Sequence, residues 1–272
     1  MTKVIIVSGT SHPLPTYWSA KPTPEHADPL YGVKIKIRRA DEHVANIESI
    51  VEAFGGSHRI VREMEPDGVY ETVKLLVAPV PEMLPVIVGE VVFHLRSALD
   101  NLACCLAIAN GKSAKKVCFP IAGDRQKFEL PDTQGKIQNL SPTAQKLIRR
   151  LKPYKGGNNL LWVMNRLRND DVHTRLLPLV LDGPHWKSPT ITTLIPSGAM
   201  IEIEYPQAFE DQIVLARCLH GAKIEYDAEP VIGIAFDDIE FLKGESIVAC
   251  LRQMVNLTAR VVQIFERHLS LP

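Results

Sequence analysis

Apolar side chains recur at helical spacing in three long stretches of the chain. These stretches cover residues 35–54, 81–109 and 245–269, and Gly55-Gly56 follows the first of them. A period of about 3.6 residues places such side chains on one face of a helix. Each stretch therefore predicts a helix that packs against other helices.

Two shorter helices are predicted from their capping residues. Ser141-Pro142 is a typical N-cap and first-turn pair, and Pro153 ends the helix that runs through Leu151. Asn158 or Asn159 can cap a further helix that runs from residue 160 to about residue 173.

Strands are predicted in two parts of the chain. Residues 58–64 and 69–77 are rich in β-formers and flank Pro66-Asp67-Gly68, which predicts a hairpin. Further strands are predicted at residues 190–194, 199–205, 212–219 and 231–236.

The order of these elements predicts an α+β architecture. We expect a bundle of about five helices with an N-terminal hairpin and an antiparallel β region inserted before the last helix. Prolines concentrated in residues 1–32 predict an extended arm. The remaining residues, 33–272, are expected to form one domain, with the bundle at 33–177 and 244–270 and the β region at 178–243.

Composition limits the classes of function. The chain has 272 residues, is 46% hydrophobic, and balances 31 acidic against 31 basic residues. A general nucleic-acid coat protein would usually be strongly basic. Any site for a polyanion must therefore be local.

A cytoplasmic protein without a membrane span is expected. The five cysteines are odd in number and form no CxxC pair, which favours a reducing compartment. The most apolar stretch, 86–109, contains Glu90, Arg96 and Asp100 and predicts a buried helix. No cofactor is predicted, and no metal site either, because no two of His94, Asp100, Asp171 and His173 have ligand spacing on one element.

One segment is free of acidic residues. Residues 133–169 contain no Asp or Glu and carry eight bases: Lys136, Lys146, Arg149, Arg150, Lys152, Lys155, Arg166 and Arg168. The segment leads into the hexapeptide Arg168-Asn169-Asp170-Asp171-Val172-His173. A run of bases that ends in a guanidinium and an imidazole favours chemistry on an anion.

Helix geometry constrains this hexapeptide. Asn169 and His173 are four residues apart and share a face, whereas Arg168 and His173 lie about 140° apart. Arg168 and His173 can converge only if the helix breaks or a second chain contributes. The plainer interpretation is a solvated helix end with exposed ion pairs, Arg166 with Asp170 and Arg168 with Asp171.

The pattern Arg168-Asn169-x-x-x-His173 resembles the signature of the HEPN superfamily. Members are helical bundles, often dimeric, and many are metal-independent endoribonucleases. The resemblance implies that His173 is a general base or acid, that Arg168 holds the phosphate and that Asn169 is a positioning donor. It also implies RNA or a nucleotide as partner, and a homodimer that completes the cleft.

A second resemblance, to uncharacterised bacterial proteins, covers roughly residues 84–177. It rests on the ordered segments 94–103, 119–121, 151–154 and Asp171-Val172-His173. This family implies no activity, but it implies that the long helix and the hexapeptide helix belong to one module.

Further binding residues are predicted around the motif. Arg96 and Asp100, four apart on the long helix, either line a polar pocket with His173 or form an intrahelical pair within a buried network. Tyr154 beside Lys155 can stack a base, or it belongs to a polar interhelical loop. The candidate set is Arg96, Asp100, Lys146, Arg149, Arg150, Lys152, Tyr154 and Lys155.

Two functions remain open from the sequence. One is a HEPN-like endoribonuclease or RNA- or nucleotide-binding protein. The other is a noncatalytic helical-bundle protein that acts in protein interaction or small-ligand binding.

Overall fold

Helices and strands follow one another in the predicted α+β order. A computed structural model describes residues 28–173, 179–186, 191–194, 212–221, 223–226, 230–237 and 239–269. The helices are α1 (Tyr31–Gly55), α2 (Leu84–Ala109), α3 (Arg125–Glu129), α4 (Pro131–Gly135), α5 (Pro142–Leu151), α6 (Asn159–His173) and α7 (Ile247–Leu269). The strands are β1 (Arg59–Met64), β2 (Tyr70–Leu76), β3 (Leu179–Trp186), β4 (Ile191–Leu194), β5 (Gln212–Leu219), β6 (Lys223–Tyr226) and β7 (Pro230–Phe236). The α+β class with a helical bundle is thus confirmed.

Helix α2 is the centre of the bundle. It packs against α1, α6 and α7, and Leu95, Leu99 and Leu102 on its inner face are fully buried. Within the described residues, α2 is the one helix long and apolar enough to cross a membrane, and half of its most apolar window is buried inside the protein. Its apolar character is therefore explained by its place in the core.

The ends of α5 and α6 are set by side-chain caps. The Ser141 hydroxyl accepts a hydrogen bond from the Ala144 N–H at 3.2 Å, as the sequence predicts. Helix α5 ends at Lys152, whose φ of 49° is left-handed. The Asn158 side chain accepts from the Leu161 N–H at 3.1 Å and so caps α6.

The predicted hairpin forms, and a third strand joins it. Strands β1 and β2 pair antiparallel, and the turn between them contains Gly68 at φ 67°. Strand β5 then pairs antiparallel with β2, which gives the sheet order β1-β2-β5. The inserted β region is therefore continuous with the N-terminal hairpin through β5, because the second edge of β2 offers unpaired backbone groups. The other strands form two antiparallel pairs, β3 with β7 and β4 with β6.

Several elements differ from the prediction. Helices α3 and α4 are additional short helices, and β3 and β6 are additional strands. The arm predicted over residues 1–32 ends earlier, because α1 begins at Tyr31 and Leu30 is buried against the core. Residues 1–27 of that arm and the strand predicted at 199–205 lie outside the described residues.

Candidate functional site

The hexapeptide lies on the last turns of α6, and the helix is unbroken there. Helix α6 continues through His173, so Arg168 and His173 keep the 140° separation expected of a regular helix. The Arg168 guanidinium donates to the Asn169 side-chain oxygen at 3.2 Å. The His173 side chain lies outside the described residues. One chain alone does not turn Arg168 and His173 towards the same point.

Acidic side chains from elsewhere approach part of the basic segment. The Lys155 ammonium lies 2.8 Å from the Glu240 carboxylate, and the Arg166 guanidinium lies 3.8 Å from the same group. Arg166 also pairs with Asp170 at 3.7 Å, as the spacing predicts. Arg168 differs, because within the described part of the chain no carboxylate pairs with it. The segment that is acid-free in sequence is therefore partly neutralised in space.

The bases of α5 lie on its exposed face. Lys146, Arg149 and Arg150 are all exposed. The Arg149 guanidinium donates to the Gln134 side-chain oxygen at 2.9 and 3.1 Å. Lys152 is also exposed and ends the helix.

Tyr154 packs within the interhelical loop. Its ring lies 5.4 Å from that of Phe128, measured between centroids. A Cβ added to Gly157 would lie 2.8 Å from the Tyr154 ring, so the ring fits against that glycine. These contacts favour a role for Tyr154 in holding the loop.

Arg96 and Asp100 form a junction between α2, α6 and the segment at Phe119. The Arg96 guanidinium donates to Asp100 at 2.5 Å, to the Asn165 side chain at 2.8 Å and to the Phe119 carbonyl at 3.0 Å. The Phe119 N–H donates to Asp100 at 2.9 Å. The geometry therefore matches the second of the two predicted arrangements, an intrahelical pair within a polar network.

This junction also brings three separate segments of the chain together. The Ala122 N–H, next to Phe119-Pro120-Ile121, donates to the Pro153 carbonyl at 3.0 Å. The segments at 94–103, 119–121 and 151–154 are thus neighbours in space, and α6 completes the contact through Asn165. They belong to one structural module.

A surface pocket of about 430 Å³ opens between α1, α2 and α6. Its polar and aromatic side chains are Arg39 and His43 from α1, Glu90, Phe93 and His94 from α2, and Asp171 from α6. We call it the α1/α2/α6 pocket. Asp171 brings the hexapeptide into this pocket, and His94 is the first residue of the segment at 94–103.

Asp171 lies directly on the backbone of α2. A Cβ added to Gly89 would meet the Asp171 carboxylate at 2.5–2.6 Å, so the carboxylate fills the space that any larger residue would need. Burial raises the pKa of the Asp171 carboxyl above its ordinary value. Asp171 makes no ion pair with Arg168 among the described residues, which corrects the pairing expected from their spacing.

Two histidines stack beside this carboxylate. The rings of His43 and His94 lie 5.8 Å apart at an interplanar angle of 16°, and the His43 Nδ1 lies 3.6 Å from the Glu90 carboxylate. The His94 Nδ1 is buried, and no group among the residues that the structure describes forms a hydrogen bond with it. Burial, followed by the nearby His43, lowers the pKa of His94. His94 is therefore neutral at neutral pH.

His43 and the position of Asp171 in the pocket were not predicted from the sequence. Both interrupt an apolar stripe: His43 lies three residues after Ala40, and Asp171 lies four residues after Leu167. Ala40 and Leu167 are fully buried. The helical period requires an apolar residue at each of these positions. An ionisable residue there was the signal by which the sequence could have indicated both side chains.

Within the described residues, no group of three or more His, Cys, Asp or Glu side chains is placed to hold a metal ion. No protein-family model matches the chain, and no curated protein or solved structure is significantly similar to it.

Proposed function

We propose that the protein is a HEPN-like, metal-independent endoribonuclease that binds RNA at the C-terminal end of α6. The observation that carries the proposal is the Arg168 guanidinium, which no carboxylate neutralises among the described residues. Arg168 and Asp171 are about 60° apart around α6, so Arg168 lies on the same side of the helix as the α1/α2/α6 pocket. A free cation beside a pocket suits a nucleotide, whose phosphate and base are neighbours.

The reaction uses a nucleophile that RNA supplies. An imidazole accepts the proton of the 2′-hydroxyl, the 2′-oxygen bonds to phosphorus, and the bond from phosphorus to the 5′-oxygen breaks. The leaving 5′-oxygen takes a proton, so the products are a 2′,3′-cyclic phosphate and a 5′-hydroxyl. In this proposal His173 moves the proton, Arg168 stabilises the charge on the phosphate, and Asn169 positions it.

Because α6 is continuous, the proposed site requires a dimer. Because α6 holds Arg168 and His173 about 140° apart, His173 of the partner subunit has to complete the site beside Arg168. A two-fold axis near the end of α6 would form two such composite sites.

The test is cleavage of mixed RNA in EDTA by the wild type and by single variants. We expect Arg168→Ala and His173→Ala each to lower the rate by about 10²-fold or more. Arg166→Ala is the matched control, because Arg166 has the same charge on the same helix but pairs with Asp170 and Glu240. It should change the rate only slightly. Cleavage by His173→Ala at the wild-type rate, or none by the wild type, would reject the mechanism.

A cytoplasmic setting accompanies this proposal. All five cysteines have free thiols, and burial raises the pKa of Cys250 to about 12. Thiols of this kind are unreactive and suit a reducing compartment.

A noncatalytic small-ligand protein is the second candidate. The specific observation in its favour is the α1/α2/α6 pocket, whose volume of about 430 Å³ lies in the range of small-molecule sites. A wild type that binds a small ligand but leaves RNA intact in the same assay would support this candidate.

A further inference from the structure

We propose that the α1/α2/α6 pocket recognises a guanine base, with Asp171 accepting the two adjacent N–H donors of the guanine edge. The inference deepens the proposed function, on which it rests for RNA as the natural source of the base. Its geometry, however, can be tested with mononucleotides alone.

The Asp171 carboxylate is an acceptor without a donor. Among the described residues no N–H or O–H group donates a hydrogen bond to it, although burial already raises its pKa. A carboxylate that has lost part of its hydration is stabilised by hydrogen-bond donors that replace the lost water. A ligand with two parallel N–H groups supplies them in the way that a guanidinium does.

Among the common bases, guanine offers such a pair of donors. Its ring N–H and its amino group lie side by side on one edge, whereas adenine, cytosine and uracil each place an acceptor next to their donor. A carboxylate that accepts only can therefore engage both donors of guanine and only one donor of another base. Asp171 thus favours guanine by hydrogen-bond number.

His94 forms part of the pocket wall beside the carboxylate. Its ring stacks on that of His43, and its Nδ1 is fully buried with no hydrogen-bond partner among the described residues. A ligand in the pocket therefore meets the His94 ring rather than its Nδ1.

The rim of the pocket suits the rest of a nucleotide. Phe93 is 45% exposed there, and a large exposed aromatic ring offers a surface on which a base stacks. Arg39 at the same pocket pairs with Glu42 at 3.1 Å, whereas Arg168, on the pocket side of α6, pairs with no carboxylate among the described residues. Of the two, Arg168 is the cation available to a phosphate.

Gly89 fixes the position of the carboxylate. Only a glycine at that position leaves room for the Asp171 oxygens, which lie 2.5–2.6 Å from the place that a Cβ would take. Gly89→Ala is therefore a mutation that moves the carboxylate without removing it. The displaced atoms are the end of a side chain, so the helix itself can remain in place.

The direct test is calorimetric titration of the whole protein with GMP, AMP, CMP and UMP. We expect GMP to bind about tenfold more tightly than the others, or better, and Asp171→Asn to abolish that preference. Asp170→Asn is the matched control, since Asp170 pairs with Arg166 on the same helix, and it should keep the preference. Equal binding of all four nucleotides, no binding of GMP, or an unchanged preference in Asp171→Asn would overturn the proposal.

Gly89→Ala keeps the inference testable if Asp171→Asn fails to fold. We expect it to weaken GMP binding at least about tenfold while circular dichroism remains that of the wild type. A folded Gly89→Ala variant with wild-type affinity for GMP would contradict the assigned role of Asp171.

The failure of this inference is distinguishable from failure of the proposed nuclease. A preference for GMP without RNA cleavage would support the guanine site and reject the endoribonuclease. The opposite result is RNA cleavage in EDTA with no preference for GMP and with cuts unrelated to guanine. It would support the endoribonuclease and reject the guanine site.

Discussion

His94 is a pocket side chain whose ionisation depends on its surroundings. Its Nδ1 is buried with no hydrogen-bond partner among the described residues, and burial and His43 lower its pKa. The ionisable groups around it come from three helices: Lys36, Arg39 and His43 from α1, Glu90 from α2 and Asp171 from α6. Glu90 acts in the opposite direction and raises the pKa, but the net shift is downward.

This shift predicts how stability depends on pH. The folded protein keeps His94 neutral, whereas the unfolded chain protonates it near an ordinary pKa of about 6.5. The stability that His94 contributes is therefore complete above that pH and is lost as the pH falls through its lower folded pKa. We expect His94→Gln to show a smaller loss of unfolding free energy than the wild type between pH 7.5 and 5, measured by urea unfolding.

His58 is the control for this experiment. Burial lowers its pKa as well, but its ring packs on Phe54 and accepts from the Ala78 N–H, outside the pocket. His58→Gln should also reduce the pH dependence of the free energy of unfolding, yet leave the affinity for GMP unchanged. Identical pH profiles for the wild type and His94→Gln would show that His94 does not titrate as described.

At the scale of elements, the helices of the bundle are predicted well because their apolar spacing is regular. Leu95, Leu99 and Leu102 repeat on α2 and are fully buried, and Ser141 caps α5 as its side chain predicts. Short elements and long-range pairings were missed. Strand β3 contains Gly183-Pro184, which favours a turn, and its pairing with β7 shifts register between Asp182 and His185.

The pocket itself could be predicted only in part. The hexapeptide was singled out from the sequence, but the contact of Asp171 with Gly89 of α2 is one that no local pattern contains. Glu240 likewise reaches Lys155 from a distant part of the chain. Side-chain convergence between helices depends on how they pack, and one sequence does not specify that.

The Arg96–Asp100 junction predicts a large loss of stability for a single truncation. Asp100→Ala would leave the Phe119 N–H without its acceptor and remove one of the three partners of Arg96, whose side chain is only 12% exposed. Because Asp100 is itself partly exposed, we expect a loss of about 2–3 kcal/mol in unfolding free energy. Urea unfolding measures it.

An exposed ion pair provides the comparison. Glu42→Ala breaks the ion pair between Glu42 and Arg39, whose two side chains are both more than half exposed. It should lower the free energy of unfolding by less than about 1 kcal/mol. Equal losses for Asp100→Ala and Glu42→Ala would mean that the junction does not hold α2 to its neighbours.

The exposed bases of α5 predict a salt-dependent contribution to RNA binding. Lys146 and Arg150 have no carboxylate partner within the described residues, whereas Lys155 pairs with Glu240. If both contact phosphates, neutralising them with glutamine should lower the slope of log affinity against log salt by roughly 0.7 per contact. Lys155→Gln should change the slope less. An unchanged slope in the variant with both Lys146 and Arg150 replaced would show that α5 does not contact RNA.

At the scale of the whole molecule, the neutral net charge means that the proposed binding of RNA must depend on a local group of cations. The 31 acidic residues balance the 31 basic ones, and some acids, such as Glu240, lie directly on the basic segment. Arg168 on α6 and Lys146 and Arg150 on α5, which pair with no carboxylate among the described residues, are then the cations that favour a phosphate. A site that needs Arg168 and His173 together, on an unbroken helix, further requires two chains.

The proposed site therefore combines Arg168 of one subunit with His173 of the other. A heterodimer tests this arrangement most directly. Subunits carrying Arg168→Ala and His173→Ala are co-expressed with different tags, purified as the mixed dimer, and assayed for RNA cleavage in EDTA. Such a dimer keeps one complete site, so the account predicts roughly half of the wild-type rate, while each variant homodimer is inactive. A mixed dimer as inactive as the two homodimers, or a wild type that cleaves RNA while it sediments as a monomer, would contradict it.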